Sequence, residues 1–394
     1  MNKKLDLVIL AGGQGKRLGV ITKKTPKPLL KINGIPFLRH LINYYTQFSF
    51  QNIYILAGYK GKQLKDLFHK KKINLVPIKC FIENKKKDTG GALHVLKKKI
   101  KNNFILVNGD SFLEINLEKI SKLKLKNSTG LMVLTKNNTY KQNKKLSNLN
   151  IDKNKFIVNS EKSKLMNSGI YLFKKNIFKH IKNKRQSLEE EILPKLIEQK
   201  KIKGMLSFNY FIDIGTKQNL KLAKKQFKTK FYKPAIFLDR DGVINKDLDH
   251  VYKIKNFKYT KNIFAALKRL SNYFIFIITN QAGIAKGLYT ENDFFKLHTK
   301  IKGDLIKKNI YINEVKFCPH HPNGIIKKYT KNCLCRKPGT QMISEIFNNW
   351  NINLKKSLMI GDKISDMLCA KNSNLEFQFI QKNIETQVKN FIKL

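Results

Sequence analysis

The sequence predicts an α/β protein of two domains, each wound around a largely parallel sheet, and three observations carry that prediction. Short apolar runs alternate with helix-like segments along most of the 394 residues. A lysine-rich stretch interrupts the alternation near residue 230. The motifs on its two sides differ, so the halves are not repeats. With 42% hydrophobic and 10% aromatic residues, the chain can fill substantial cores, which excludes wholesale disorder.

In the first half, strands are expected at Leu7 to Leu10, Asn52 to Ala57, Phe104 to Val107 and Leu131 to Leu134, with an amphipathic helix from Phe37 to Phe48. Lys217 to Lys233 reads as a last helix and then a linker. Pro234 introduces a buried strand, Ala235 to Leu238, followed by strands at Phe274 to Ile278, Val315 to Phe317 and Ser357 to Ile360. The expected division is therefore a domain over residues 1–226, a linker over 227–233 and a domain over 234–394.

Lysine and arginine total 79 against 27 acidic residues, a formal charge of +52. The excess is spread along the chain, as in Lys70-Lys71-Lys72, Lys97-Lys98-Lys99 and Lys307-Lys308, rather than gathered on one stripe. No helix-turn-helix or aromatic-bearing binding sheet accompanies it, so no specific nucleic-acid partner is expected. Such a field does draw in anionic ligands. No stretch approaches the ~20 apolar residues of a membrane span. Met1-Asn2-Lys3-Lys4 runs into Leu7-Val8-Ile9-Leu10 with too short an apolar core for a cleavable signal, so a cytoplasmic protein with no membrane partner is expected.

Directly after the first strand, Gly12-Gly13-Gln14-Gly15-Lys16-Arg17 lets backbone N–H groups approach phosphate oxygens, with Lys16 and Arg17 as counter-charge. It matches neither a P-loop nor the dinucleotide fingerprint. Taken alone, such a turn serves structure as often as it serves a ligand. Pro26-Lys27-Pro28 then fixes one cation between two prolines.

In order and spacing these segments resemble the sugar-1-phosphate nucleotidyltransferases, which implies a Rossmann-like, GT-A-like sheet. By that resemblance Thr89-Gly90 is the turn against the nucleotide base, with Asp88 standing where the family has glycine. Asp110 and Asp213 are the Mg²⁺ ligands, and Glu161, Lys162, Asn167 and Gly169 contact the sugar phosphate. The implied chemistry is in-line attack of a sugar 1-phosphate on the α-phosphorus of a nucleoside triphosphate, with Lys27 and Arg17 neutralising charge.

In the second half, Asp239-Arg240-Asp241-Gly242 ends a strand with two carboxylates two residues apart. This resembles the first motif of the haloacid-dehalogenase-like phosphatases. The resemblance makes Asp239 the nucleophile and Asp241 the general acid and base. Thr279-Asn280 resembles the second motif and Lys337 the third. Asp362-Lys363 resembles the fourth, with Asp362 completing an Mg²⁺ site beside Asp239 and the Asp241 backbone carbonyl.

Three of the five cysteines, Cys318, Cys333 and Cys335, fall within 18 residues and share them with His320. Three thiolates and one imidazole close a tetrahedral shell, so a structural Zn²⁺ is expected, delivering Arg336 and Lys337 to the substrate phosphate. Spacing does not distinguish His320 from His321; the family pattern favours His320.

Within that family the Cys-Pro-His-His-Pro segment and its Cys-x-Cys-Arg-Lys-Pro partner are similar to the heptose bisphosphate 7-phosphatases, with histidinol-phosphate phosphatases sharing much of the pattern. A 7-phosphatase yields a heptose 1-phosphate that a nucleotidyltransferase would consume. The expected protein is thus a bifunctional enzyme of nucleotide-activated heptose synthesis, acting on a phosphorylated heptose and GTP. Alternatives are the same pair of reactions on another sugar or nucleotide, a histidinol-phosphate-type phosphatase fused to a sugar nucleotidyltransferase, and a basic binding protein with decayed sites. All expected carboxylates are present, which argues against decay.

Overall fold

The computed structural model describes residues 4–83, 85–136 and 147–393. Met1 to Lys3, which opened the N-terminal reading, lie outside them. The chain separates into two compact units, Met1–Gln226 and Phe227–Leu394. No helix among the described residues is long and apolar enough to cross a membrane.

The first unit is built on β1 (Leu5–Ala11), α1 (Phe37–Tyr45), β2 (Phe50–Ala57), β3 (Val76–Ile82), α2 (Asp88–Leu93), β4 (Phe104–Asn108), β5 (Ser111–Leu113) and β6 (Gly130–Lys136). It continues through β7 (Ser147–Ile151), β8 (Ile157–Asn159), β9 (Leu165–Phe173), β10 (Ile202–Leu206) and β11 (Phe211–Asp213). β1 pairs in parallel with β2 on one side and β4 on the other, and β2 with β3. Leu7, Val8 and Ile9 are fully buried, as expected of a strand covered on both faces. β9 lies antiparallel to β4, β6 and β7 and carries the sheet toward its far edge.

Apolar runs mark β1, β2, β4 and β6. The later strands are masked by polar residues such as Asn167 and Ser168 in β9, and the sequence reading omits them. α1 ends at Tyr45, one turn earlier than its apolar pattern suggests. The stretch read as a linker is ordered: a helix spans Lys217–Lys230, and Tyr232–Lys233 pairs with Asn351–Ile352.

The second unit is a five-stranded parallel sheet of β12 (Ala235–Leu238), β13 (Phe274–Asn280), β14 (Glu314–Cys318), β15 (Leu358–Gly361) and β16 (Glu376–Phe379). Their order is β14-β13-β12-β15-β16. The strand order reverses at β12, with β13 on one side of it and β15 on the other, so the crevice at the carboxyl ends of these three strands is where a ligand fits an open α/β sheet.

Helix α3 (Glu291–Lys307) covers this sheet and carries His298, fully buried with its ring 4.2 Å from that of Phe294. Its Nε2 has no hydrogen-bond partner among the described residues. Burial, helped by the Arg240 charge, pushes the imidazole well below the usual histidine range. The unfolded chain therefore binds a proton that the folded unit refuses. The contribution of His298 is complete above pH 6.5 and falls by about 1.4 kcal/mol for each pH unit below it, until the folded-state imidazole itself takes up the proton. Urea unfolding followed through Trp350, the sole tryptophan and buried in this unit, should show that loss, and His298→Phe should flatten it. Equal slopes in the two proteins would remove His298 as the cause.

Candidate active sites

At the carboxyl end of β1 the chain turns through Gly15, whose left-handed φ of 66° starts a single 3-10 turn over Lys16–Leu18. A side chain at that φ is strained, so glycine is favoured there. Pro26 is extended and Lys27 begins a second short turn, which carries the lysine inward until only 7% of it is exposed. β4 ends one residue before Gly109, whose N–H donates to Leu10 (2.8 Å) and brings Asp110 alongside. The Lys27 ammonium donates directly to Asp110 Oδ2. Burial opposes ionisation of Asp110, but the Lys27 charge and hydrogen bond, with Ser111, outweigh it and hold the carboxyl below its ordinary range.

These groups face a cavity of about 280 Å³ that Gly12, Gly13, Thr89, Glu83 and Glu189 also line. A second cavity of about 440 Å³ shares Gly12, Gly13 and Glu83 and is bordered by Gly15, Lys16 and Tyr59. Thr89 donates its hydroxyl proton to Glu189, whose carboxyl is pushed up by burial.

In the second unit, Asp239 follows β12 and its N–H donates to Ile360 (3.1 Å). Lys337, 3% exposed, spans Asp239 Oδ1 (2.8 Å), Asp366 Oδ1 (2.6 Å) and the Ile278 carbonyl (3.1 Å). Asn280 fixes that lysine's backbone from both sides, accepting from its N–H (3.0 Å) and donating to its carbonyl (3.1 Å). Asp366 Oδ2 accepts the N–H groups of Asp362 and Lys363. Burial raises Asp239 and raises Asp362 to about 6, and in each case neighbouring carboxylates add to it.

Carboxylate oxygens of Asp239, Asp362 and Asp366 lie within 4.8 Å of one another, and Asp362 Oδ1 is buried without a hydrogen-bond partner among the described residues. Hard oxygen donors so arranged fit a divalent cation such as Mg²⁺. Gly242 (φ 91°) makes room: a Cβ there would stand 2.3 Å from Asp362 Oδ2.

Cys318, Cys333, Cys335 and His320 form a second cluster. Cys335 Sγ is 3.1 Å from Cys318 Sγ, 3.3 Å from Cys333 Sγ and 3.2 Å from His320 Nδ1. A tetrahedral shell with bonds of about 2.3 Å has edges of about 3.7 Å, so a small relaxation would fit zinc. The hydrogen bonds that Cys335 shares with Cys318, Cys333 and His320 hold its thiol below the ordinary range, while the same pairing and burial push Cys318 up, so one thiolate is favoured within the cluster. His321 is turned away, its Nδ1 accepting from the Asn323 N–H, and it borders the cavity that Asp239 and Lys337 also line.

Residues 7–230 match the family described as nucleotidyl transferase, and residues 334–389 match that described as HAD-hydrolase-like. The chain belongs to the nucleotidyl transferase family. Its second unit is 40% identical over 148 residues to D-glycero-alpha-D-manno-heptose-1,7-bisphosphate 7-phosphatase of Photorhabdus laumondii, covering 37% of this chain and 81% of that protein. It is 38% identical over 144 residues to the D-glycero-beta-D-manno enzyme of Yersinia pestis, covering 36% of this chain and 77% of that protein. The second unit thus belongs with the heptose bisphosphate 7-phosphatases. Among solved structures, HddC from Yersinia pseudotuberculosis complexed with GMP-PN is 30% identical, covers 57% of this chain and 99% of that chain, and has a TM-score of 0.46. The protein is an enzyme that joins a nucleotidyl transferase unit to a phosphatase unit.

In the transferase unit the cavities gather Gly12, Gly13, Gly15, Lys16, Lys27, Thr89 and Asp110. Gly90 is among the residues bordering neither: its N–H donates to the Gln186 carbonyl (2.8 Å), and a Cβ there would strike Ile192. Asp213 pairs across β11 and β5 with Ser111, and its carboxylate accepts from Gly215 (2.8 Å) and Asn219 (2.9 Å). The Arg17 guanidinium lies beside it at Gly215. Asn167 and Gly169 sit on β9, where the Asn167 side chain accepts from the Gly169 N–H, while Glu161 and Lys162 occupy an exposed turn.

In the phosphatase unit one cavity of about 250 Å³ gathers Asp239, Asp241, Asn280, Arg336, Lys337 and Lys363. Thr279 is buried and is not among the residues bordering this cavity; its hydroxyl accepts from Gln281 (2.8 Å), which does border it. The Asp241 carboxylate is apart from the aspartate cluster, held by Arg240, Asn245 and Gln281. Sequence reasoning omits Glu83, Glu189, Gln281 and Asp366. Gln281 and Asp366 lie within the second and fourth motif segments but are given no role there; Glu83 and Glu189 belong to no motif.

Proposed function

We propose that the phosphatase unit removes the 7-phosphate of D-glycero-D-manno-heptose 1,7-bisphosphate and that the transferase unit joins the resulting heptose 1-phosphate to GMP from GTP. The observation carrying this reading is the pairing itself. A unit belonging with 7-phosphatases is fused to one whose family activates sugar 1-phosphates, so the first product is the second substrate.

In the phosphatase unit an Asp239 carboxylate oxygen attacks the 7-phosphorus, the bond to the sugar oxygen breaks, and Asp241 gives that oxygen a proton. Water, deprotonated by Asp241, then opens the aspartyl phosphate and releases inorganic phosphate. Lys337, held between Asp239 and Asp366, offsets phosphoryl charge, and Thr279 and Asn280 orient the group. Asp239, Asp362 and Asp366, with the Asp241 carbonyl, would hold Mg²⁺, which when bound neutralises phosphate charge.

In the transferase unit a heptose 1-phosphate oxygen attacks the α-phosphorus of GTP in line and pyrophosphate leaves. Lys27, Lys16 and the Gly12 to Gly15 amides cradle the phosphates, and Asp110 and Asp213 are the carboxylates for a second Mg²⁺. Glu83 supports guanine: of the common bases only guanine offers adjacent imino and amino donors to one carboxylate.

Supplying each anomer of the bisphosphate with each nucleoside triphosphate, and measuring phosphate and pyrophosphate separately, tests the reading. Phosphate should appear with the bisphosphate alone, and pyrophosphate only when GTP is added. Phosphate release never followed by pyrophosphate with any nucleotide would overturn it.

Cys318, His320, Cys333 and Cys335 would hold one Zn²⁺. Protein purified without added zinc should carry about one per chain, and Cys335→Ser should lose the metal together with most phosphatase activity. The reason is mechanical, because Arg336 and Lys337 follow the last ligand. A zinc-free preparation with full phosphatase activity would count against the site.

A further inference from the structure

We propose that Arg240 is a positioning residue of the phosphatase unit, acting through Asp241 by fixing its carboxylate so that Oδ2 is the oxygen that exchanges a proton with the leaving group. This rests on Asp241 being the acid-base group.

Arg240 is 1% exposed and heads the largest fully buried side chains of the protein. Its Nη2 donates to Asp241 Oδ1 (2.8 Å) and Oδ2 (2.7 Å), its Nε lies 3.1 Å from each, and Nη2 also donates to the Val251 carbonyl (2.8 Å). The guanidinium is further confined by the Phe294 ring, 5.7 Å from its centroid. A planar fork gripping both oxygens sets the rotation of the carboxylate, which a lysine point charge does not.

Two amides crowd the same oxygens. Asn245 donates to Oδ1 (3.0 Å) and Gln281 to Oδ2 (3.0 Å). A carboxylate offers about four acceptor directions, so a partner must yield before a proton can be carried. Asn245 is wholly buried, whereas Gln281 borders the cavity. Gln281 Nε2 also has a second acceptor in the Thr279 hydroxyl (2.8 Å), and its Oε1 is anchored by Tyr289 (2.7 Å), so it can release Oδ2 without losing its place. Oδ2 is therefore the oxygen open to substrate.

The test compares kcat/KM, which covers steps up to leaving-group departure, on a sugar bisphosphate and on 2,4-dinitrophenyl phosphate, whose leaving group needs no proton. Arg240→Lys should lose about a hundredfold on the sugar substrate and little on the aryl phosphate. Arg240→Gln should show the same split, and each variant's aryl rate serves as its own control for folding. Equal losses on both substrates in both variants, or no loss on either, would overturn the proposal. Asp241→Asn in the same assay separates the two levels. If it shows no split, the acid-base reading fails; if it alone shows one, only the role of Arg240 fails.

Discussion

Asp239→Asn should cut phosphate release from heptose 1,7-bisphosphate by on the order of a thousandfold or more, while leaving GTP-dependent pyrophosphate release from supplied heptose 1-phosphate unchanged. The amide keeps the shape of the carboxylate but removes the electron-rich oxygen that would bond to phosphorus. Folding should survive, because Lys337 retains Asp366 at 2.6 Å as its anionic partner. A buried lysine stripped of both carboxylates would instead cost several kcal/mol. Separate phosphate and pyrophosphate assays on the full chain give the answer. Undiminished phosphate release would show that another group attacks phosphorus.

The mirror result is expected of Asp110→Asn. Pyrophosphate release should fall by about a hundredfold or more, and phosphatase activity should persist. Asparagine is chosen over alanine because Lys27 is buried and donates to this side chain, so truncation would strand a cation in the core. Two effects are separable here. Loss of charge at Asp110 weakens the hold on a divalent ion, which raised Mg²⁺ would partly restore; loss of Lys27 positioning would not respond to the metal. A variant that keeps full transferase activity at low Mg²⁺ would dismiss Asp110 as a ligand.

Much of the architecture was legible because its strands are nearly unbroken apolar runs: β1, β2, β4, β12 and β13 announce themselves. Those with mixed faces did not, β9 above all, where Asn167 and Ser168 interrupt the pattern. In the phosphatase unit Asp239, Asn280 and Asp362 stand at or just after strand ends and Lys337 follows the last cysteine of the cluster, so local motif order led to all four. In the transferase unit the sequence marked Lys27 and Asp110 but not Glu189, which approaches Thr89 across 100 residues. Contacts of that span depend on how segments pack, and no local pattern encodes them. Asp88 shows the reverse: the resemblance leads one to expect glycine there, and the residue takes a left-handed φ of 55°, a conformation that aspartate tolerates better than most side chains.

All residues bordering the first two cavities come from positions before 227, and all those bordering the third come from positions after it. Chemically, then, nothing obliges a single molecule to complete both conversions. A mixed population, half crippled at the front and half at the rear, retains in aggregate every step of the sequence, at a pace governed by dilution of the shared sugar phosphate.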